Sequence, residues 1–285
     1  MAKHTFITTQ NDQGRKLIKF LASIFKKTPL SKIHKILRVG DVKINSQRIK
    51  NPNFIVQSDQ TVEIFGLNNN DATLFTHKKN NQNLSIVYED DNILIINKQI
   101  NTLVHGHPKS LDNQVLNYLR FNQTSSFKPS HVGRLDKITS GIIVYAKNYS
   151  TLAQLNSKHS NFTKIYKFIP TKPIKTGEYN FWIEKDEMNQ KMKVVNHSTK
   201  NACIAKTLIY SVNNQYFAEI LTGRKHQIRL SCAYLDAPIL GDVKYGAKPD
   251  KRVYLHSYSI TFNALEGNIE YLNQKTFKIE PDNWV

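Results

Sequence analysis

The sequence predicts an α+β protein: a mixed, largely antiparallel sheet with helices packed against it, preceded by a small unit of two helices and a hairpin. Three observations predict it. The 285 residues suffice for two domains at roughly 100–200 residues each. Two helical patterns sit close together within residues 17–40, ahead of a run of alternating residues. From residue 84 onward, strand patterns follow one another without the regular helices that separate strands in a doubly wound parallel sheet. Hydrophobic residues make up 40% and aromatics 10%, an ordinary globular balance that excludes wholesale disorder.

In chain order, Leu17, Phe20, Leu21, Ile24 and Phe25 recur at helical spacing and Pro29 stops the run. Ser31 is expected to cap a second helix with apolar Ile33, Ile36 and Leu37, ended by Gly40. Lys32, Lys35 and Arg38 lie three apart on it and form one basic stripe facing away from the apolar side. Val42-Lys43-Ile44 alternates, Asn45-Ser46 turns, and a further strand pair ends at residues 62–65. Residues 67–83 are polar and Asn-rich and read as a linker. Strands are then expected at 93–96, 141–146, 163–169, 181–184, 205–212, 216–221 and 253–262. Helices are expected at 111–121 behind Ser110, at 151–157 behind Ser150, and at about 225–235. The resulting domains are 12–66, a linker at 67–83, and 84–285.

Forty Lys and Arg against 22 Asp and Glu give a net charge of +18, whose self-repulsion points to a polyanionic partner. Nucleic acid is the default, and an anionic membrane surface is the competitor. Residues 1–65 hold twelve cations and four anions, so +8 sits in under a quarter of the chain. Lysine supplies 32 of the cations and arginine 8, so each arginine is informative. No run approaches the ~20 apolar residues that cross a bilayer, and residues 1–10 lack the apolar core of a signal peptide. Cys203 and Cys232 form no disulfide framework and are expected to fill apolar positions. A cytosolic, monomeric protein is the expectation.

There is no G-x-x-x-x-G-K-[ST] loop and no strand followed by G-x-G-x-x-G. His105-Gly106-His107 has no third ligand at a recognisable spacing and reads as a turn. Two segments concentrate arginine, aspartate and glycine. One is His131-Val132-Gly133-Arg134-Leu135-Asp136-Lys137-Ile138-Thr139-Ser140-Gly141, running into apolar Ile142-Ile143-Val144. Taken alone, its Asp136 fits a tight turn into a strand. The other is Gly223-Arg224-Lys225-His226-Gln227-Ile228-Arg229, followed by Pro238-Ile239-Leu240-Gly241-Asp242 and Tyr245-Gly246. Taken alone, it fits a helix N-terminus with a polar face.

Together these segments resemble the RluA-type pseudouridine synthases. Arg134-Leu135-Asp136-x-x-Thr139-Ser140-Gly141 matches the family's H-R-L-D-x-x-T-S-G, and Gly223-Arg224-x-His226-Gln227-Ile228-Arg229 matches G-R-T-H-Q-I-R. Residues 238–246 match H-P-I-x-G-D…Y-G, Lys164-Ile165-Tyr166 matches K-x-Y, and Leu255-His256-Ser257 matches L-H-x. The stretch from Gly14-Arg15-Lys16-Leu17 through Ser31–Asn45 to Arg48-Ile49-Lys50 resembles the S4 RNA-binding module, often fused in front of such synthases. The arrangement is most similar to synthases that modify large-subunit ribosomal RNA.

The resemblance implies isomerisation of uridine to pseudouridine in structured RNA, with no cofactor or metal. Asp136 would act at the sugar, either by attacking it or by taking its 2′ proton. A carboxylate in a water-poor pocket takes up a proton unless a cation opposes it, and Arg229 is the matched partner, holding it with a two-pronged fork. Tyr166 would offer a ring for the detached base and a hydroxyl near its C5 proton. Ile228 and Leu255 would wall the pocket. Arg134 would fill the space left by an everted base, and Arg224 and His226 would face RNA or support Arg229. Lys32, Lys35 and Arg38 would lie against RNA phosphates. The chain departs from the pattern at Gly133 and Lys225, and at Gln99 and Asn101 in place of the Pro and Gly of K-P-x-G. The rival readings are a non-catalytic S4-type ribosome-assembly factor, which should have lost Asp136, Tyr166 or Arg229, and an S4-fused methyltransferase, which needs a glycine-rich loop. A glycosidase would need a second paired carboxylate.

Overall fold

The computed structural model describes residues 3–68, 71–72, 74–76, 84–124, 126–282 and 284. The expected linker falls outside them at 69, 70, 73 and 77–83. The chain forms two compact units: Met1–Gln82 with Gln114–Ser130 and Ala146–Leu152, and Asn83–Asn113 with His131–Tyr145 and Ala153–Val285.

The first unit begins with β1 (Lys3–Ile7), followed by α1 (Leu17–Ile24), α2 (Leu30–Val39), β2 (Val42–Ile44), β3 (Gln47–Arg48) and β4 (Thr61–Phe65). The strands lie in the order β1-β4-β2-β3, with β1 antiparallel to β4 from Lys3 opposite Phe65 to Ile7 opposite Thr61. The sheet therefore reaches back before residue 12, where the sequence suggested a start. Leu17, Phe20, Leu21 and Ile24 of α1 and Ile33, Ile36 and Leu37 of α2 join Val42, Ile44, Val62 and Ile64 in one core. The apolar spacing is thus what makes these helices form and pack. Ser31 does not cap α2. The helix starts two residues earlier than a Ser31 cap would place it, with Pro29 as the extended N-cap and no side-chain cap. A proline costs nothing there, because its missing N–H would lie outside the helical ladder. Gly40 ends α2 with φ 82 as expected.

The second unit carries β5 (Ile86–Glu89), β6 (Ile93–Lys98), α3 (Leu111–Tyr118, which begins in it), β7 (Ser130–Val132), β8 (Ser140–Ala146) and the latter part of α4 (Tyr149–Ser157). Then come β9 (Thr163–Phe168), β10 (Gly177–Asp186), β11 (Lys191–Val195), β12 (Cys203–Val212), β13 (Gln215–Ile220), α5 (Gln227–Tyr234), β14 (Leu255–Thr261) and β15 (Thr276–Lys278). An 11-stranded sheet runs β11-β10-β12-β13-β9-β14-β8-β6-β5, with β15 on β14 and β7 on β8. The α+β architecture and its mostly antiparallel sheet are those the sequence predicts. Two details differ. Ser150 does not cap α4; the Asn148 carboxamide accepts the Thr151 N–H at 2.9 Å, the geometry of an N-cap two residues earlier. Cys232 is buried, but Cys203 is exposed at the start of β12, where the chain has just left a turn.

Three features aim the site. The β7–β8 connection carries Asp136, and β8 pairs in parallel with β14 through His256 opposite Ser140 and Ser257 opposite Gly141. That approach is so close that a Cβ on Gly141, at φ +106, would lie 2.3 Å from the Ser257 carbonyl oxygen, so only glycine fits. On the other side β14 pairs with β9, setting Tyr166 opposite Ser257. Residues 221–226 then lead from β13 into α5, which carries Arg229.

Candidate active site

Asp136 sits in a turn closed by the Thr139 N–H donating to its carbonyl at 3.1 Å. The ammonium of Lys98, fully buried, holds this turn from behind by donating to the carbonyls of Lys137 (3.2 Å), Gln99 (3.0 Å) and Thr102 (3.1 Å). Burial pulls the Lys98 ammonium down to about 8; Asp136 opposes the shift and Arg252 adds to it. Asn101 adopts φ 61, the left-handed conformation open to the glycine of the K-P-x-G pattern and tolerated by asparagine. This departure therefore keeps the backbone path. Nothing in the structure explains Gln99.

The Arg229 guanidinium, 4% exposed, donates from Nη1 to Asp136 Oδ2 at 3.2 Å. Its two-pronged grip is made elsewhere: Nε and Nη2 donate to the two oxygens of Asp242 at 2.7 and 2.8 Å, and Asp242 is 1% exposed. The fork expected on Asp136 thus closes on Asp242, because both lie on the α5 side of the site while Asp136 arrives from β7–β8. Burial works against the Arg229 charge, but the two carboxylates outweigh it and raise its pKa above the ordinary value. The Tyr245 ring lies 4.9 Å from the guanidinium carbon, adding a cation–π contact.

His226 supplies the other neighbour of Asp136, with Nε2 3.6 Å from Oδ2. The Tyr245 phenol accepts the Met192 N–H at 3.3 Å and shares a hydrogen bond of 2.7 Å with His226 Nδ1, which holds the ring with Nε2 toward Asp136. Burial first, with Arg229 and two lysines, holds this imidazole down at about 4 despite Asp136, so it is neutral near pH 7.

These groups line a cavity of about 610 Å³ with Tyr166, Lys164, His159, Ile228, Leu255 and Arg134. Ile228 and Leu255 are 5% and 4% exposed and form apolar wall. Burial pushes the Tyr166 phenol up to about 12, with a Ser257 hydrogen bond opposing and the Asp136 charge adding. A phenol held neutral is a poor base near neutrality. Arg134 is exposed at the cavity, and Arg224, also exposed, donates to the Ile204 carbonyl at 3.0 Å. Lys225, where the family has Thr, is exposed in the turn before α5. Lys35 and Arg38 are exposed on α2 in the other unit, and Lys32 lies 3.6 Å from Asp71. Asp242, Tyr245 and Lys98 were given no role from the sequence, although all three stand inside matched motifs. Among the described residues no three His, Cys, Asp or Glu side chains converge as a metal site. No helix among them is long and apolar enough to cross a membrane.

An α+β sheet thus presents one acidic side chain against a buried arginine in the wall of a cavity. Residues 92–234 match the RNA pseudouridylate synthase family. The chain is 34% identical over 98% of both chains to an uncharacterised RNA pseudouridine synthase of Mycoplasma capricolum. It is 29% identical to the ribosomal large subunit pseudouridine synthase C of Buchnera aphidicola, covering 91% of this chain and 89% of that one. The solved structure of human RNA pseudouridylate synthase domain containing 1 shares the fold with a TM-score of 0.54 at 21% identity, over 65% of this chain and 80% of that one. The chain belongs to the RNA pseudouridylate synthase family, of the RluA type, and is an RNA pseudouridine synthase.

Proposed function

We propose that this enzyme isomerises specific uridines of large-subunit ribosomal RNA, with Asp136 as the group that acts on the ribose of an everted nucleotide. The observation that carries the reading is the Asp136 carboxylate, met by Arg229 and His226 in the wall of a cavity of about 610 Å³. That volume lies within the ~300–1,000 Å³ typical of small-molecule sites. The N1–C1′ bond breaks, the uracil turns, a C5–C1′ bond forms, and the C5 proton leaves as N1 gains one. Charge and oxidation state are unchanged. Attack on C1′ and removal of the 2′ proton both need one ionised oxygen beside the sugar, and the Arg229 N–H donates to that carboxylate and orients it. Tyr166 provides the plate on which the detached base turns, and Ile228 and Leu255 keep water from it. Arg134, exposed at the mouth, fills the stack left by the base, which costs a few kcal/mol to evert. Residues 12–66 act as the S4-type RNA-binding module, 67–83 as its tether, and 84–285 as the catalytic domain. Arg224, Lys32, Lys35 and Arg38 meet phosphates. Relatives named for the ribosomal large subunit support the choice of RNA.

The test compares pseudouridines across total RNA from cells carrying the wild-type gene, no gene, or Asp136→Asn. Sites in large-subunit RNA should vanish without the gene and stay absent with Asp136→Asn, while the variant's RNA affinity stays within about twofold, since the acid makes few ground-state contacts. Persistence of every site with Asp136→Asn would remove Asp136 from its role. An RNA-binding protein that never changed any site even as wild type would favour the assembly-factor reading.

A further inference from the structure

Gly133 immediately precedes Arg134 and holds φ +72, and a Cβ built on it would lie 2.7 Å from His159 Nε2 and 3.3 Å from its Cε1. An imidazole from the turn between α4 and β9 therefore occupies the room that a side chain at position 133 would need. His159 is held from two sides: its carbonyl accepts the Lys164 ammonium at 2.6 Å, and its ring meets Phe162 edge-on at 5.9 Å. The ring is partly buried in the cavity wall beside Arg134, Lys164 and Tyr166. Among the described residues its nitrogens take part in no hydrogen bond, unlike those of His226 and His256, which are tied to protein partners. Burial, with Lys164 adding, brings this imidazole down to about 4. Near neutrality it carries one N–H donor and one bare nitrogen acceptor, suited to a neutral hydroxyl, amide or carbonyl rather than to a phosphate.

On the reading of the cavity as the uridine site, we infer that His159 is a substrate-contacting residue, hydrogen-bonding the nucleoside part of the everted nucleotide, and that position 133 is glycine to admit its ring. The contact is made only once the nucleotide leaves the stack, so it favours the everted state without strengthening the docking of RNA as a whole.

The experiment measures single-turnover pseudouridine formation at saturating enzyme, on large-subunit RNA prepared from cells lacking the gene, beside RNA affinity and melting temperature. His159→Ala should slow the reaction roughly tenfold, the scale of one missing hydrogen bond to substrate. RNA affinity and melting temperature should stay close to wild type, because the carbonyl that anchors Lys164 belongs to the backbone. His159→Gln keeps a donor and an acceptor and should recover most of the rate, which a packing role would not predict. Gly133→Ala should slow the reaction through the displaced ring, and adding it to His159→Ala should cost less than it does alone. Wild-type rates in His159→Ala, or His159→Gln as slow as His159→Ala, would overturn the inference while leaving the functional reading in place. Absence of product with the wild-type enzyme would overturn both.

Discussion

Asp136 and Arg229 stand 93 residues apart, and the chain's motifs name both without saying what else Arg229 touches. Its stronger partner is Asp242, and the pair is almost wholly removed from water. Asp242→Asn would replace one acceptor oxygen by an amide facing a guanidinium N–H. Loss of one partner of a buried pair costs about 3–5 kcal/mol, and the lower end applies because Asp136 still offsets part of the charge. Denaturant unfolding should register that loss, and the isomerisation rate should fall with it as Arg229 swings toward Asp136. The acid, the arginine and the tyrosine were legible because their residue types recur at fixed spacing. The relation of Gly133 to His159 was not: the two lie 26 positions apart, share no periodicity, and meet only where the fold brings α4–β9 against β7–β8.

Elements were legible in proportion to how one-sided their burial is. β8 is buried at every position and reads as an unbroken apolar run, while α1 and α2 show apolar faces at helical spacing. β1, β5 and β11 were missed because none of their residues is buried; β11 is Lys-Met-Lys-Val-Val, and Thr5 at the centre of β1 finds its partner Glu63 only 58 residues later. Both cap positions moved by two residues because Pro29 and Asn148, not serines, sit at the helix entries. The basic stripe of α2 gives a prediction at this scale. Lys32→Ala/Lys35→Ala/Arg38→Ala should leave the fold intact, since none of the three is in the core. It should lower the slope of log affinity against log salt by roughly 2, at about 0.7 for each phosphate no longer neutralised. An unchanged slope would argue against the S4 assignment.

Across the whole molecule, His159, His226 and His256 are each held at about 4, with burial the first cause in every case. Unfolded, each titrates near its ordinary value of about 6.5. The unfolded chain therefore binds more protons between these values, and stability present above pH 6.5 is lost as pH falls toward 4. His256, 1% exposed, takes the Ser140 hydroxyl at Nδ1 and donates from Nε2 to the Ile279 carbonyl. His256→Gln should lower stability at pH 7 but flatten its decline in acid, as thermal melts across the range would show. The molecule's scarce anions, 22 against 40 cations, are also placed tellingly: two of them share one guanidinium. Because Asp242 also pairs with Arg229, the change of charge at Asp136 that the proposed reaction requires would still leave the buried guanidinium with a carboxylate partner.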